Sequence, residues 1–418
     1  MKFIHAADIH LDSPLSGLAS YKDAPAELLR TATRDAFIKL VDEAIDEAVD
    51  FIVIAGDLYD GSWKDYNTGH FFCREMGRLN KAQIPVYLLY GNHDAESEMT
   101  KKLVFPPNVH VFESRKPSTF RIEALNVALH GRSFKEAAMT ENLVVGYPPP
   151  VPGCLNIGVL HTAMEGNAAH ATYAPCSLAE IMARGYQYWA LGHVHEFAIL
   201  QENPWVVFPG NLQGRHIRET GPHGAVLVSA DETGVRVVER LLVDVLRWQV
   251  VEVDASGART LDDVVGRVGA AFEKLISGPA GKYYLSVRVH ITGKTAAHGE
   301  LFGQEAQLRA EILGQAAAVA YDRLWVEKVR IETEPMDGPE VIRARADAIA
   351  DLQGLLDAAP EDEGLLSELA LDLRQLVDKV PNELAQRLPE IPTIRDGDVA
   401  SIVKAVTSGL LAQLAKSS

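Results

Sequence analysis

The chain is poor in cysteine. Only three occur, Cys73, Cys154 and Cys176; they are odd in number, far apart and in no CxxC spacing, which excludes a disulfide framework and a thiolate zinc site as organising devices. It also lacks long apolar runs. No uninterrupted stretch reaches the roughly 18 apolar residues of a membrane span. The N-terminal "MKFIHAADIH" meets Asp8 before any run long enough for a signal peptide. The expectation is a cytoplasmic, reducing location with no membrane attachment. Positive charge is scarce as well: 40 Lys and Arg stand against 57 Asp and Glu, a formal charge of −17. A protein that wraps nucleic acid through a broad basic face is therefore disfavoured, because phosphate contacts need clustered Lys and Arg. Internal repeats and low-complexity tracts are absent too.

What remains has the composition of a folded protein, 47% hydrophobic and 23% charged. At 418 residues it exceeds what one core usually supports, so two or three domains are expected. Residues 1–245 alternate strand-like and helix-like segments, which indicates an α/β architecture. "KFIHAAD", "DFIVIAGD", "IPVYLLYGNHD", "LNIGVLH" and "YQYWALGHVH" are β-rich runs that end abruptly in polar residues. Between the first two, Phe37, Leu40, Val41, Ala44, Ile45 and Ala48 recur at helical spacing. "FRIEALNVALHG" and "HGAVLVSADETGVRVVE" read as antiparallel pairs.

Residues 246–335 restart with a βαβαβ order that Pro335 and "MDGPE" close, predicting a smaller α/β cap domain. Residues 336–418 show no convincing strand. There Leu366, Leu369, Leu373, Leu376 and Val380 step by three and four, and Ile402, Val406, Leu410 and Leu414 by four. These apolar stripes suit either a self-packed helical bundle or a docking site for another chain.

The polar residues at the strand ends carry the chemistry. They are Asp8 and His10 in "AADIHLD", Asp57 in "IAGDLYD", Asn92, His93 and Asp94 in "YGNHD", His161 in "GVLHT", and His193 and His195 in "LGHVH". Loops at the carboxyl ends of strands in an open α/β sheet converge on one crevice, so residues almost 190 positions apart can be neighbours. Any one of these histidines alone would pass as a hydrogen-bonded structural residue. Five strand ends choosing Asp, His and Asn independently would not. Carboxylates, an amide oxygen and imidazoles without thiolate suit Mn²⁺, Fe²⁺ or Zn²⁺. The set also exceeds the needs of one ion, and paired ions about 3.5 to 4 Å apart are the usual device for in-line phosphoester displacement. "ITGKT" at 291–295 has Arg288 where a phosphate-binding loop needs its first glycine, which rejects a nucleotide site there.

The ordered series D-x-H, G-D, G-N-H-D, H and G-H-x-H resembles the calcineurin-like metallophosphoesterase superfamily over the first 245 residues. "HAADIHLDSPL", "PGNLQGRHIRETGPHG" and the βαβαβ addition resemble its SbcD and YhaO group of DNA repair exonucleases. This resemblance implies a β-sandwich flanked by helices. It also implies two metal ions, Mn²⁺ in the first instance: Asp8, His10, Asp57 and His195 would hold one, and Asp57, Asn92, His161 and His193 the other. A hydroxide shared between the ions is the implied nucleophile. His93 would act on the departing oxygen and Asp94 would orient its ring. Arg215, His216 and Arg218 are candidates for phosphate contacts. The cap would contact DNA, and the helical tail would dock an SMC-like coiled-coil ATPase, with the stripe from Leu366 to Val380 as its surface. Pairing of two copies as a homodimer is left open. The rival readings are a phosphodiesterase or phosphatase acting on small nucleotides or phosphoproteins, and a non-catalytic adaptor.

Overall fold

The computed structural model describes residues 1–15, 26–61, 66–96, 103–164, 173–336, 354–377, 380, 390–404 and 406. Among these residues, no helix is long and apolar enough to cross a membrane. The chain divides into two compact units, Met1–Gln249 with Tyr283–Ser286, and Val250–Lys282 with Val287–Ser418.

The first unit is built on two six-stranded sheets. One contains β1 (Lys2–Ala6), β2 (Phe51–Ala55), β3 (Val86–Leu89) and β4 (Val109–Val111), together with β11 (Gly224–Asp231) and β12 (Gly234–Leu242), in the order β12-β11-β1-β2-β3-β4. The other contains β5 (Ser118–Ile122), β6 (Val127–Gly131), β7 (Leu155–His161), β8 (Tyr188–Gly192), β9 (Ala198–Glu202) and β10 (Trp205–Phe208), in the order β5-β6-β7-β8-β10-β9. β1 to β4 run parallel to one another, as do β6, β7, β8 and β10. The two segments expected as hairpins form the antiparallel pairs β5–β6 and β11–β12.

Period-two alternation decides the layers. Phe3, Phe51, Val53, Tyr87, Leu129, Ile157, Val159, Tyr188 and Val207 point between the sheets and form one core. Their neighbours Ile4, Ala6, Ile52, Ile54, Val86 and Leu88 point the other way. They pack against Phe37, Leu40, Val41 and Ala44 of α1 (Ala26–Asp46) and Phe72, Met76 and Leu79 of α2 (Tyr66–Lys81). The helical periodicity overreaches at its end: α1 stops at Asp46, and Ala48 takes a φ of 49° in the turn into β2. On the far sheet Trp189, Leu191, Val206 and Phe208 pack under Tyr147, Tyr186 and Ile181 of α4 (Leu178–Met182). The central strands of both sheets are thus buried on both faces, and the loops that follow the parallel strands gather at the rim.

In the second unit β13 (Leu246–Asp254), β14 (Tyr284–Thr295) and β15 (Leu324–Pro335) form a three-stranded sheet with β14 in the centre. α5 (Leu261–Ser277) opens on a capping box in which Thr260 and Asp263 satisfy each other's backbone N–H. The helix expected between β14 and β15 is α7 (Glu305–Ala320), and a short α6 (His298–Gly303) precedes it.

The leucine stripe differs from its expectation. In α8 (Glu363–Val377), Leu366, Leu369 and Leu373 are half-buried. Leu373 and Val380 pack around Val377 with Ile391 and Ile394 of α9 (Glu390–Arg395) and with Ile402. The stripe is therefore partly consumed by the bundle itself, and among the described residues the exposed leucines there are Leu355, Leu365 and Leu371. The side chain of Leu376, Leu410, Leu414 and residues 337–340 of the expected closing turn lie outside the described residues.

Phe51 is fully buried and stacks on Phe3 with ring centroids 4.8 Å apart. Phe51→Ala is expected to cost about 3–5 kcal/mol, read as a lowered urea midpoint. A change under about 1 kcal/mol would mean that the inter-sheet core tolerates a void there.

Candidate metal centre

The carboxyl ends of β1, β2, β3, β7 and β8 bring the sequence candidates to one place. Asp8 and His10 follow β1, Asp57 follows β2, and Asn92 opens α3 (Asn92–Glu96) after β3. His161 ends β7, and His193 and His195 follow β8. The ligand atoms of Asp8, His10 and His195 all lie within 4.8 Å of one another, as do those of Asp57, His161 and His193. Asp57 stands between the two groups. Its Oδ2 is 3.4 Å from His161 Nε2 and 4.0 Å from His10 Nε2.

Close backbone approach is what makes this convergence feasible. A Cβ at Gly91 would sit 2.3 Å from Asp57 Oδ1, and one at Gly56 would sit 2.3 Å from His161 Nδ1. Asp8, His10, Asp57 and His193 themselves take φ values of 50°, 46°, 52° and 100°. A non-glycine residue in that region costs on the order of 1–3 kcal/mol and persists only where its surroundings impose it.

The donor arrangement fits divalent cations. His161 Nδ1 donates to the Ala55 carbonyl at 2.9 Å, so a neutral ring turns the lone pair of Nε2 toward Asn92 Oδ1, 3.0 Å away, and toward Asp57 Oδ2. His195 Nδ1 donates to Glu219 Oε1 at 2.7 Å, which leaves its Nε2 facing His10 Nε2 at 3.2 Å and Asp8 Oδ1 at 4.0 Å. Both clusters thus present lone pairs to one another with too few hydrogens to pair them. Either a proton or a metal ion must lie between.

The charge states follow the same logic. Burial pulls His10 down to about 4, which keeps it neutral. Burial would also depress His161, but the Asp57 carboxylate overrides it and holds the imidazole up at about 9. Asp57 has the converse balance: burial would raise it, and His161, His10 and His93 together draw it well below the carboxylate range. Asp8, whose two oxygens accept from the His193 N–H at 3.1 and 2.9 Å, is pushed by burial up to about 6.

His93 stands apart from this buried set, with 37% of its side chain exposed. Its Nδ1 accepts from the Gly61 N–H at 3.1 Å. A neutral ring therefore carries its proton on Nε2, which lies 4.0 Å from Asp57 Oδ2.

The expectation that Asp94 orients this ring is corrected. Asp94 is buried, and its carboxylate accepts from the backbone N–H groups of Leu58, Tyr59 and Gly91 at 3.2, 3.0 and 3.0 Å. Adjacent residues of a helix point about 100° apart, so the side chain after His93 faces away from it. The carboxylate beside His93 is Asp60, with Oδ1 3.5 Å from His93 Nδ1 and 3.6 Å from His10 Nδ1. Asp60 also accepts from Ser13 Oγ at 2.9 Å. Its place in "GDLYD", three residues past Asp57, was the one signal available. Glu219, in the irregular loop after β10, had no periodic signal at all.

The three phosphate-contact candidates have different settings. Arg215 lies against the centre, with Nη1 3.1 Å from Ser13 Oγ and 3.6 Å from Asp60 Oδ1. His216 Nε2 lies 3.6 Å from Glu219 Oε1. Arg218 is exposed. Histidines outside the motif frames do other work. His5 is buried in the core, bonded to the Tyr188 hydroxyl and the Leu191 carbonyl, and His130 binds Thr119 and Asn156.

Residues 1–197 match the family model of the calcineurin-like phosphoesterases, and residues 248–334 match that of the middle domain of metallophosphoesterase YhaO. The chain belongs to the calcineurin-like metallophosphoesterases. It is 34% identical over 279 residues to the uncharacterized metallophosphoesterase YhaO of Bacillus subtilis, a match spanning 66% of this chain and 68% of that protein. It is also 27% identical over 298 residues to the DNA double-strand break repair protein Mre11 of Methanopyrus kandleri, covering 64% of this chain and under two thirds, 62%, of that relative. Among solved structures, TT1561 of Thermus thermophilus has a TM-score of 0.34 at 14% identity, covering 58% of this chain and 98% of that one. A dimetal phosphatase from Danio rerio has a TM-score of 0.33 at 13% identity, with the same coverage of 58% and 98%. Scores this low add nothing to the family match.

Two substitutions separate support from chemistry. Asp94→Ala leaves three backbone N–H groups unpaired, at about 1–3 kcal/mol each when buried, and is expected to lower the urea midpoint sharply. Lost turnover at an unchanged midpoint would return the orienting role to Asp94. Glu219→Gln is expected to weaken metal binding about 10–100-fold, read by calorimetric titration. Unaltered affinity would show that His195 does not depend on Glu219.

Proposed function

We propose that this chain is a metal-dependent nuclease that hydrolyses DNA phosphodiester bonds, acting in DNA repair in the cytoplasm. The observation that carries the reading is the pair of proton-poor donor groups meeting at Asp57 beside a half-exposed His93. In this reading Asp8, His10, Asp57 and His195 hold one divalent ion, and Asp57, Asn92, His161 and His193 hold the other. Mn²⁺ is the first choice, with Fe²⁺ and Zn²⁺ as alternatives. Such ions supply Lewis acidity and lower the pKa of water toward neutrality.

The protein's own contribution is orientation and a proton. Glu219 fixes the His195 ring, and the Ala55 carbonyl fixes that of His161. The Gly61 N–H holds the His93 proton on Nε2, the atom on the Asp57 side, from which it can pass to the departing oxygen. Asp60 stands on the other side of that ring, with Oδ1 3.5 Å from Nδ1.

DNA as the substrate rests on the resemblance to the SbcD and YhaO group and is supported by the likeness to a protein named for double-strand break repair. The three-stranded unit is the proposed DNA-contacting cap. The C-terminal helices are the proposed dock for an SMC-like ATPase, with Leu355, Leu365 and Leu371 as exposed apolar surface.

His93→Ala is expected to keep metal and lose about 10²–10⁴-fold in turnover, whereas Asp57→Ala loses both. Elemental analysis and kinetics on the two variants check this, and equal metal content in both would sink the assignment. Metal-loaded protein is then offered single- and double-stranded DNA, bis-p-nitrophenyl phosphate and a phosphopeptide. DNA degradation that His93→Ala abolishes is the expected result. Hydrolysis of the small ester alone would make the chain a phosphodiesterase, and silence on every substrate would make it an adaptor.

A further inference from the structure

A cleft of about 800 Å³ opens in the first unit beside His195, lined among others by Phe197, Arg215, His216, Arg218, Glu219 and Arg240. Its charge runs against that of the chain as a whole. Three guanidinium groups and the imidazoles of His195, His216 and His223 face two carboxylates, Glu196 and Glu219. Glu219 is already committed: Oε1 accepts from His195 Nδ1, and Oε2 accepts from Asn211 Nδ2 at 3.0 Å and from the Arg215 N–H at 2.7 Å. Glu196 is exposed.

Arg240 is held in place without its charge being spent. Its guanidinium lies 4.7 Å over the Phe197 ring, and Nη2 donates to the Pro222 carbonyl at 2.6 Å. Neither Arg240 nor Arg218 is ion-paired to a carboxylate among the described residues. His216 Nδ1 is buried with no hydrogen-bond partner. A planar guanidinium fixed by an aromatic face and a carbonyl is pre-ordered for phosphate.

The cleft is continuous with the metal centre through two side chains. His195 lines it and turns Nε2 toward His10, and Arg215 lines it while reaching Ser13 and Asp60. Its volume lies in the range that takes a nucleotide-sized group rather than a single ion. We infer that this cleft binds a second phosphodiester of the substrate strand, flanking the one being cut, with Arg218 and Arg240 as its contacts. This rests on the nuclease reading and deepens it, because a mononucleotide or a phosphopeptide has no flanking phosphodiester to offer. It also gives a chain of net negative charge a local place for a phosphate backbone, where three arginines line one cleft.

The test is binding, so that it does not depend on turnover. A fluorescein-labelled single-stranded oligonucleotide is titrated with full-length protein in EDTA over a series of salt concentrations, followed by anisotropy. The Arg218→Ala, Arg240→Gln double variant is expected to bind at least tenfold more weakly. Its plot of log K against log salt should flatten by about 0.7 for each phosphate no longer neutralised. Arg218 is exposed and holds no carboxylate in place, and Arg240 is exposed on β12 with its one hydrogen bond to Pro222 at the surface, so neither change threatens the fold. Affinity within twofold of wild type at an unchanged slope overturns the inference. A wild-type chain that hydrolyses bis-p-nitrophenyl phosphate and neither binds nor cuts DNA overturns the nuclease reading and this inference together, and the defect is then seen without any substitution.

Discussion

Asp57 bears the constraint on which the rest of the structure depends: a buried carboxylate kept ionised by histidines arriving from three other strand ends. An ionised carboxylate in the interior is tolerated only when paired. Two of the imidazoles around this centre have their other nitrogen already taken, His161 by Ala55 and His195 by Glu219. The protein has therefore used its hydrogen-bonding capacity to aim lone pairs at one volume. That arrangement is unfavourable by itself and becomes favourable when a cation enters, which is the physical sense in which this is a metal centre.

The fold meets that demand with rigidity at the rim of the sandwich. Most candidate ligands sit one to four residues beyond their strands, several in left-handed backbone conformations that an unconstrained loop would relax away. The surrounding groups hold them there. Asp94 ties Gly91 to Leu58 and Tyr59, so the β2 and β3 loops cannot drift apart. His193 is fixed through its own N–H on Asp8. His93 accepts one hydrogen bond, from the Gly61 N–H, and stays half-exposed, as the role proposed for it requires.

The candidate site is legible in the sequence to the extent that its residues terminate strands. Short apolar, β-rich runs locate β1, β2, β3, β7 and β8, and a polar residue at the end of a buried strand has few other reasons to be Asp or His. Where the chain is irregular or helical, that logic fails. Adjacency in sequence points Asp94 at His93, yet adjacency in a helix separates side chains, and Asp60 on another loop takes the position. Glu219 acts from a loop with no period to read, and Arg215 proves to be part of the site's wall rather than a surface group. The leucine stripe fails in the opposite sense: the spacing is real, but the bundle covers part of it.

The sequence by itself determined which residues could serve as metal donors and the order of strands that delivers them, because side-chain chemistry and period-two burial are local properties of the chain. Only the tertiary structure decided which carboxylate faces which imidazole, which nitrogen keeps its proton, and which arginines gather in one cleft. Those are distances between loops remote in sequence, set by how two sheets pack face to face, and no local pattern encodes them.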